Sequence, residues 1–116
     1  MDQQRAATSL MQDHEATLTQ IALMNADLDG ISSASAGSNI DDEHDPEGAT
    51  VAFERAQLSA LLRHATAHLA DVDAALDRIA RGCYGHCERC GEALSDERLA
   101  ALPAARRCVA CAALPA

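Results

Sequence analysis

Two Cys-x-x-Cys pairs, Cys87 with Cys90 and Cys108 with Cys111, stand seventeen residues apart near the end of the chain, and no other feature constrains the fold as tightly. The spacing reads as a four-cysteine zinc site. A Cys-x-x-Cys turn lets two thiolates reach one ion at about 2.3 Å, and a second pair closes the tetrahedron. Gly91, directly after the first pair, supplies the backbone freedom for so tight a turn. With every coordination position taken by protein, one structural zinc per chain is expected, with no open position for a substrate. The competing readings are two disulfides, a redox pair and an iron–sulfur cluster. Disulfides require an oxidising compartment, and a redox Cys-x-x-Cys needs a βαβ setting that the flanking sequence lacks. Cys83 lies four residues before Cys87, outside the ligand register, and His86 adjoins Cys87; either could replace a ligand only at the expense of that register.

The remaining chain has little with which to build a broad core. Its 116 residues include two aromatics, Phe53 and Tyr84, and the 48% hydrophobic fraction is carried mainly by alanine. Three prolines and many good helix formers favour long helices with narrow apolar seams. Apolar residues recur at helical spacing at Ala7, Leu10, Met11, Leu18, Ile21, Met24 and Leu28, so a first helix is expected over about 2–28, capped by Asp2 and stopped at Asp29-Gly30. A Gly/Ser-rich and then acidic connector follows over 29–49. Asp45-Pro46-Glu47 has the chemistry of a helix start, but Gly48 weakens it, which places the secure start of the second helix at Thr50 and its end near 80.

That second helix carries a seven-residue repeat: Val51, Leu58, Ala65, Val72 and Ile79 on one line, Leu62, Leu69 and Leu76 on the next, interrupted only by Arg55. A helix with so narrow a seam cannot bury it alone, and the first helix offers a matching stripe. The expected fold is therefore all-α, an antiparallel coiled-coil hairpin over 1–80 with the connector at its tip and a zinc finger module over 81–116 at its base. Pairing within one chain implies a monomer; pairing between chains is the alternative. His64 and His68 stand four apart but lack a third ligand, so they read as a solvated pair. Ser95-Asp96-Glu97 reads as the cap and first turn of a short helix through Leu102, ended by Pro103.

Charge narrows the function. The net charge is −9, there is no lysine, and residues 1–80 hold fourteen Asp or Glu against four Arg. Nucleic-acid backbones are bound by clustered Lys and Arg, so direct DNA binding is not expected despite the four-cysteine site. No nucleophile paired with a base, phosphate loop or open metal site points to an enzyme. No secretory signal or membrane-length apolar run occurs, so a cytoplasmic location without membrane association is expected, consistent with thiols free to bind zinc.

Taken together, the long helix, Gly82-x-Tyr84-Gly85-x-Cys87-x-x-Cys90-Gly91, Arg98-Leu99, Pro103 and Cys108-x-x-Cys111 resemble the DksA/TraR family of bacterial transcription regulators, closely over about 45–112. The resemblance implies a non-enzymatic factor that binds RNA polymerase through its secondary channel, the zinc module at the rim and the acidic hairpin tip near the active centre. It assigns the tip role to Asp45, with Glu47 and Asp42 keeping the tip acidic, while the family's second tip aspartate falls on Gly48. Two basic positions that help better-known members hold ppGpp are here Asp71 and Leu102, and no C-terminal helix follows Cys111, so ppGpp dependence is not expected. A structural coiled-coil scaffold capped by a zinc knob is the competing function.

Overall fold

The computed structural model describes residues 2–36 and 46–115, with the side chains of 32–36 and 46–47 left aside. The connector residues Asp42 and Asp45 lie outside the described residues. Four helices follow in order: α1 (Gln3–Ala36), α2 (Pro46–Arg81), α3 (Asp96–Ala101) and α4 (Val109–Ala112). Among the described residues no strand forms, and the single β-bridge joins His86 to Ala93. The fold is a helical hairpin of α1 and α2 with a four-cysteine module, as expected.

The helix ends differ from expectation in an instructive way. Asp2 does cap α1, its carboxylate accepting from Gln4 N at 3.1 Å. At the other end α1 runs through Asp29-Gly30 to Ala36 instead of stopping near Leu28. A glycine inside a helix costs only about 1 kcal/mol against alanine, and Gly30 has no positive φ, so it acts as a helical residue. α2 begins at Pro46 rather than Thr50, because proline at the first helical position gives up an N–H that has no helical partner anyway. Its C-terminal end is a Schellman motif: Gly82 N donates to Ile79 O at 3.1 Å and Cys83 N to Arg78 O at 3.0 Å. Gly82 meets the left-handed φ of +77° that this closure needs.

Packing divides the chain into two compact units, residues 1–16 with 68–116 and residues 17–67. This differs from a division at 80/81, because the finger shares its core with the helices. Ala6, Leu10, Val72 and Ala75 form one buried cluster with Tyr84, Cys87, Leu94, Leu99 and Cys111. In the second unit Thr17, Met24 and Ala65 are buried.

Every expected seam residue of α2 is buried or half-buried. On α1 the stripe shifts. Met11 and Leu18 are exposed, Ala7 is half-buried as expected, and the covered seam runs through Ala6, Leu10, Thr17, Ile21, Met24, Leu28 and Ile31, a four-three alternation with the Asp13-His14 pair in its one gap. That gap is polar because it carries cross-helix hydrogen bonds: His14 Nε2 lies 2.9 Å from Asp73 Oδ1, and His68 Nε2 lies 2.8 Å from Asp13 Oδ2. His64 is exposed as expected, but His68 is half-buried and bonded across the hairpin rather than solvated. His68→Ala is therefore expected to lower stability by about 0.5 kcal/mol, within the usual range for partly exposed pairs. A denaturant titration of His68→Ala, Asp13→Ala and the double variant, in which the two single losses add to more than the double loss, checks the contact.

Candidate zinc centre

Each cysteine is placed by a local device. In the first turn the chain doubles back: Leu94 N donates to Gly85 O at 2.8 Å, Cys87 N to Glu92 O at 2.8 Å, and Gly91 N to Cys87 O at 2.9 Å. Gly91 takes φ +76° to complete the turn, so the sulfurs of Cys87 and Cys90 face one point. Gly85 has φ +90°, and a Cβ there would also meet Leu99 Cδ1 at 3.6 Å. In the second turn Cys108 caps α4, its sulfur accepting from Cys111 N at 3.5 Å, which puts both sulfurs on the same side of that short helix.

The four sulfurs of Cys87, Cys90, Cys108 and Cys111 all lie within 4.8 Å of one another. Cys90 Sγ and Cys108 Sγ are 3.8 Å apart, and sulfurs bound tetrahedrally at about 2.3 Å from zinc stand about 3.8 Å apart. The four thiols perturb one another. The Cys90 backbone N–H holds the Cys87 thiol down at about 6, whereas hydrogen bonding with the Cys108 side chain pushes Cys111 up to about 12. Four thiols this close cannot all ionise side by side without a positive charge between them. The donor set fits one structural zinc, its four coordination positions all taken by cysteine. Cys83 is exposed and outside the quartet. His86 is exposed as well, its backbone occupied in the bridge to Ala93.

The module is tied together by polar contacts that sequence inspection missed. Ser95 caps α3 as expected, accepting from Arg98 N at 3.1 Å, and Leu102 ends that helix before Pro103. Buried Tyr84 donates its hydroxyl to Pro103 O at 2.9 Å, and burial raises its pKa despite the opposing charge of Arg78. Arg98 Nε donates to Arg107 O at 2.8 Å, Arg106 Nε to Asp71 Oδ1 at 2.8 Å, and Arg107 Nε to Glu88 Oε1 at 3.2 Å. The sequence signal was present as the gathering of Arg98, Arg106 and Arg107, but not their partners.

Comparisons place this geometry. Residues 82–114 match the family model of the prokaryotic dksA/traR C4-type zinc finger. An uncharacterized protein of Aquifex aeolicus is 50% identical over 46 residues, 40% of this chain and 32% of its own. The uncharacterized protein YteA of Bacillus subtilis is 42% identical over 64 residues, 55% of this chain and 27% of its own. The chain thus spans about a third or less of the length of these curated relatives. Among solved structures, the transcription factor DksA2 of Pseudomonas aeruginosa superposes with a TM-score of 0.77 at 24% identity, over 95% of this chain and 79% of DksA2. The DnaK suppressor protein of Agrobacterium tumefaciens C58 superposes with a TM-score of 0.63 at 29% identity, over 97% of this chain and 93% of its own. Residues 82–114 thus match the DksA/TraR C4-type zinc finger, and the chain that carries them has the fold of the transcription factor DksA2.

Proposed function

We propose that this chain is a cytoplasmic, monomeric transcription regulator that binds RNA polymerase through the secondary channel, holds zinc with Cys87, Cys90, Cys108 and Cys111, and acts through Asp45, Glu47 and Asp42 in the acidic connector without touching DNA. The observation that carries the reading is a dksA/traR finger joined to a helical hairpin with the DksA2 fold. Charge supports the exclusion of DNA. The gathered arginines of the finger are engaged within the chain, Arg106 with Asp71 and Arg107 with Glu88, which leaves no cluster of phosphate-seeking groups there. No helix among the described residues is long and apolar enough to cross a membrane. No ppGpp requirement is included: Leu102 is uncharged, and Asp71, at the other alarmone position, is acidic and already holds Arg106.

Asp45→Asn separates regulation from folding. Asp45 directly precedes the first residue of α2, and Asn serves a helix start about as well as Asp. The variant is expected to melt with the parent, to crosslink to polymerase from position 47 as the parent does, and to lose most of its effect on a sensitive promoter. Full regulation by Asp45→Asn removes the acidic connector from the mechanism. A parent that neither crosslinks to nor co-purifies with polymerase leaves the scaffold function in its place.

A further inference from the structure

Three consecutive carbonyls ahead of Cys108 each receive a hydrogen bond from a different part of the same compact unit. Arg78 Nη2 of α2 reaches Ala105 O at 3.4 Å, Glu88 N of the first cysteine turn reaches Arg106 O at 2.8 Å, and Arg98 Nε of α3 reaches Arg107 O at 2.8 Å. The stretch 105–107 is thus where α2, α3 and both ligand turns meet. One side chain in it extends in two directions: Arg106 Nε donates to Asp71 Oδ1 of α2 at 2.8 Å, and its Nη1 stands 4.0 Å from Glu88 Oε2. Glu88 immediately follows the ligand Cys87, and Arg106 comes two residues before Cys108.

We propose that Arg106 is a positioning residue for the zinc centre, its guanidinium held between the Asp71 carboxylate of α2 and the Glu88 carboxylate of the first ligand turn so that the second turn meets the first in ligand register. It touches no sulfur. Its action is on the approach of Cys108: the bonds from Glu88 and Arg98 fix the stretch to the finger, whereas the Arg106–Asp71 pair at 2.8 Å and the longer Arg78–Ala105 bond at 3.4 Å fix it to α2. Removing the pair leaves the Cys108 segment tied to α2 by the 3.4 Å bond from Arg78 to Ala105 O, freer to leave the ion. A flat fork with several donors can address two carboxylates in different directions, which a lysine ammonium, a point charge on a flexible stem, does less well. Groups hydrogen-bonded directly to metal ligands typically change metal affinity by about 10–100-fold, and Arg106, one step further out, is placed at the lower end of that range.

The test is the rate of zinc release from the full chain to excess chromophoric chelator at neutral pH. Arg106→Gln and Asp71→Ala are each expected to carry one zinc per chain as purified and to release it about tenfold faster than the parent. Arg106→Lys is expected to fall between parent and Arg106→Gln. The double variant is expected to release zinc no faster than Arg106→Gln alone, because replacing Arg106 already breaks the contact with Asp71. Helix content by circular dichroism stays at the parental level, which distinguishes a loosened ligand turn from general unfolding. Release within twofold of the parent in both single variants, or a double variant near one hundredfold, overturns the proposal. If Arg106→Gln is recovered without zinc, Asp71→Ala carries the test, since it leaves the finger's own sequence intact.

Discussion

Cys90→Ser and Cys108→Ser are expected to yield protein without zinc in which the compact unit of residues 1–16 and 68–116 loses its packed core. Two ligand cysteines, Cys87 and Cys111, belong to the same buried cluster as Leu10, Val72, Ala75 and Leu99. Metal loss therefore does more than free a surface loop. Structural zinc sites release about 10–16 kcal/mol on binding, comparable to the whole stability of a small domain at about 5–15 kcal/mol. Apart from zinc, the two ligand turns are joined by few direct contacts, chiefly Glu88 N to Arg106 O at 2.8 Å and Arg107 Nε to Glu88 Oε1 at 3.2 Å. Elemental analysis and tyrosine fluorescence read the two effects, since Tyr84 is the only tyrosine and is buried against this core. Cys83→Ser is the internal control, expected to keep one zinc per chain because Cys83 is exposed and outside the quartet. Zinc retained by Cys90→Ser but lost by Cys83→Ser would reassign the ligands.

The parts of this molecule that were legible in the sequence are those governed by short-range spacing. The cysteine pairs, the Ser95 cap and the α2 seam each depend on residues three to seven positions apart, and each appears where the spacing puts it. On α1 most of the expected stripe is covered, but apolar character alone favours Met11 and Leu18, which are exposed, and passes over Ala6 and Thr17, which are buried. Contacts between distant residues left no local trace. His68 and Asp13 are 55 residues apart and Arg106 and Asp71 are 35 apart, so a histidine that reads as solvated and an arginine that reads as loose positive charge both turn out to be bonded. The stop at Gly30 failed for a different reason: glycine permits a helix end but does not require one.

Val72→Asp is expected to be the most damaging substitution outside the cysteines, at about 4 kcal/mol or more. Val72 is fully buried at 0% exposure and lies in the cluster that joins α2 to α1 and the finger. The change forfeits about 2 kcal/mol of apolar burial, and it puts a carboxyl where no hydrogen-bonding partner was provided, which costs several more unless the region opens to water. Periodicity alone ranks Leu69 equally, but Leu69 is only half-buried, so Leu69→Asp is expected to cost roughly half as much. Leu61 faces solvent at 49% exposure and lies off the seam, and Leu61→Asp is expected to stay within about 0.5 kcal/mol of the parent. Denaturant midpoints for the three variants, measured with zinc bound, should fall in the order Leu61, Leu69, Val72 from most to least stable. Equal midpoints for Val72→Asp and Leu61→Asp would mean that the face of α2 bearing Val72 has no partner, and the shared core of helices and finger would have to be abandoned.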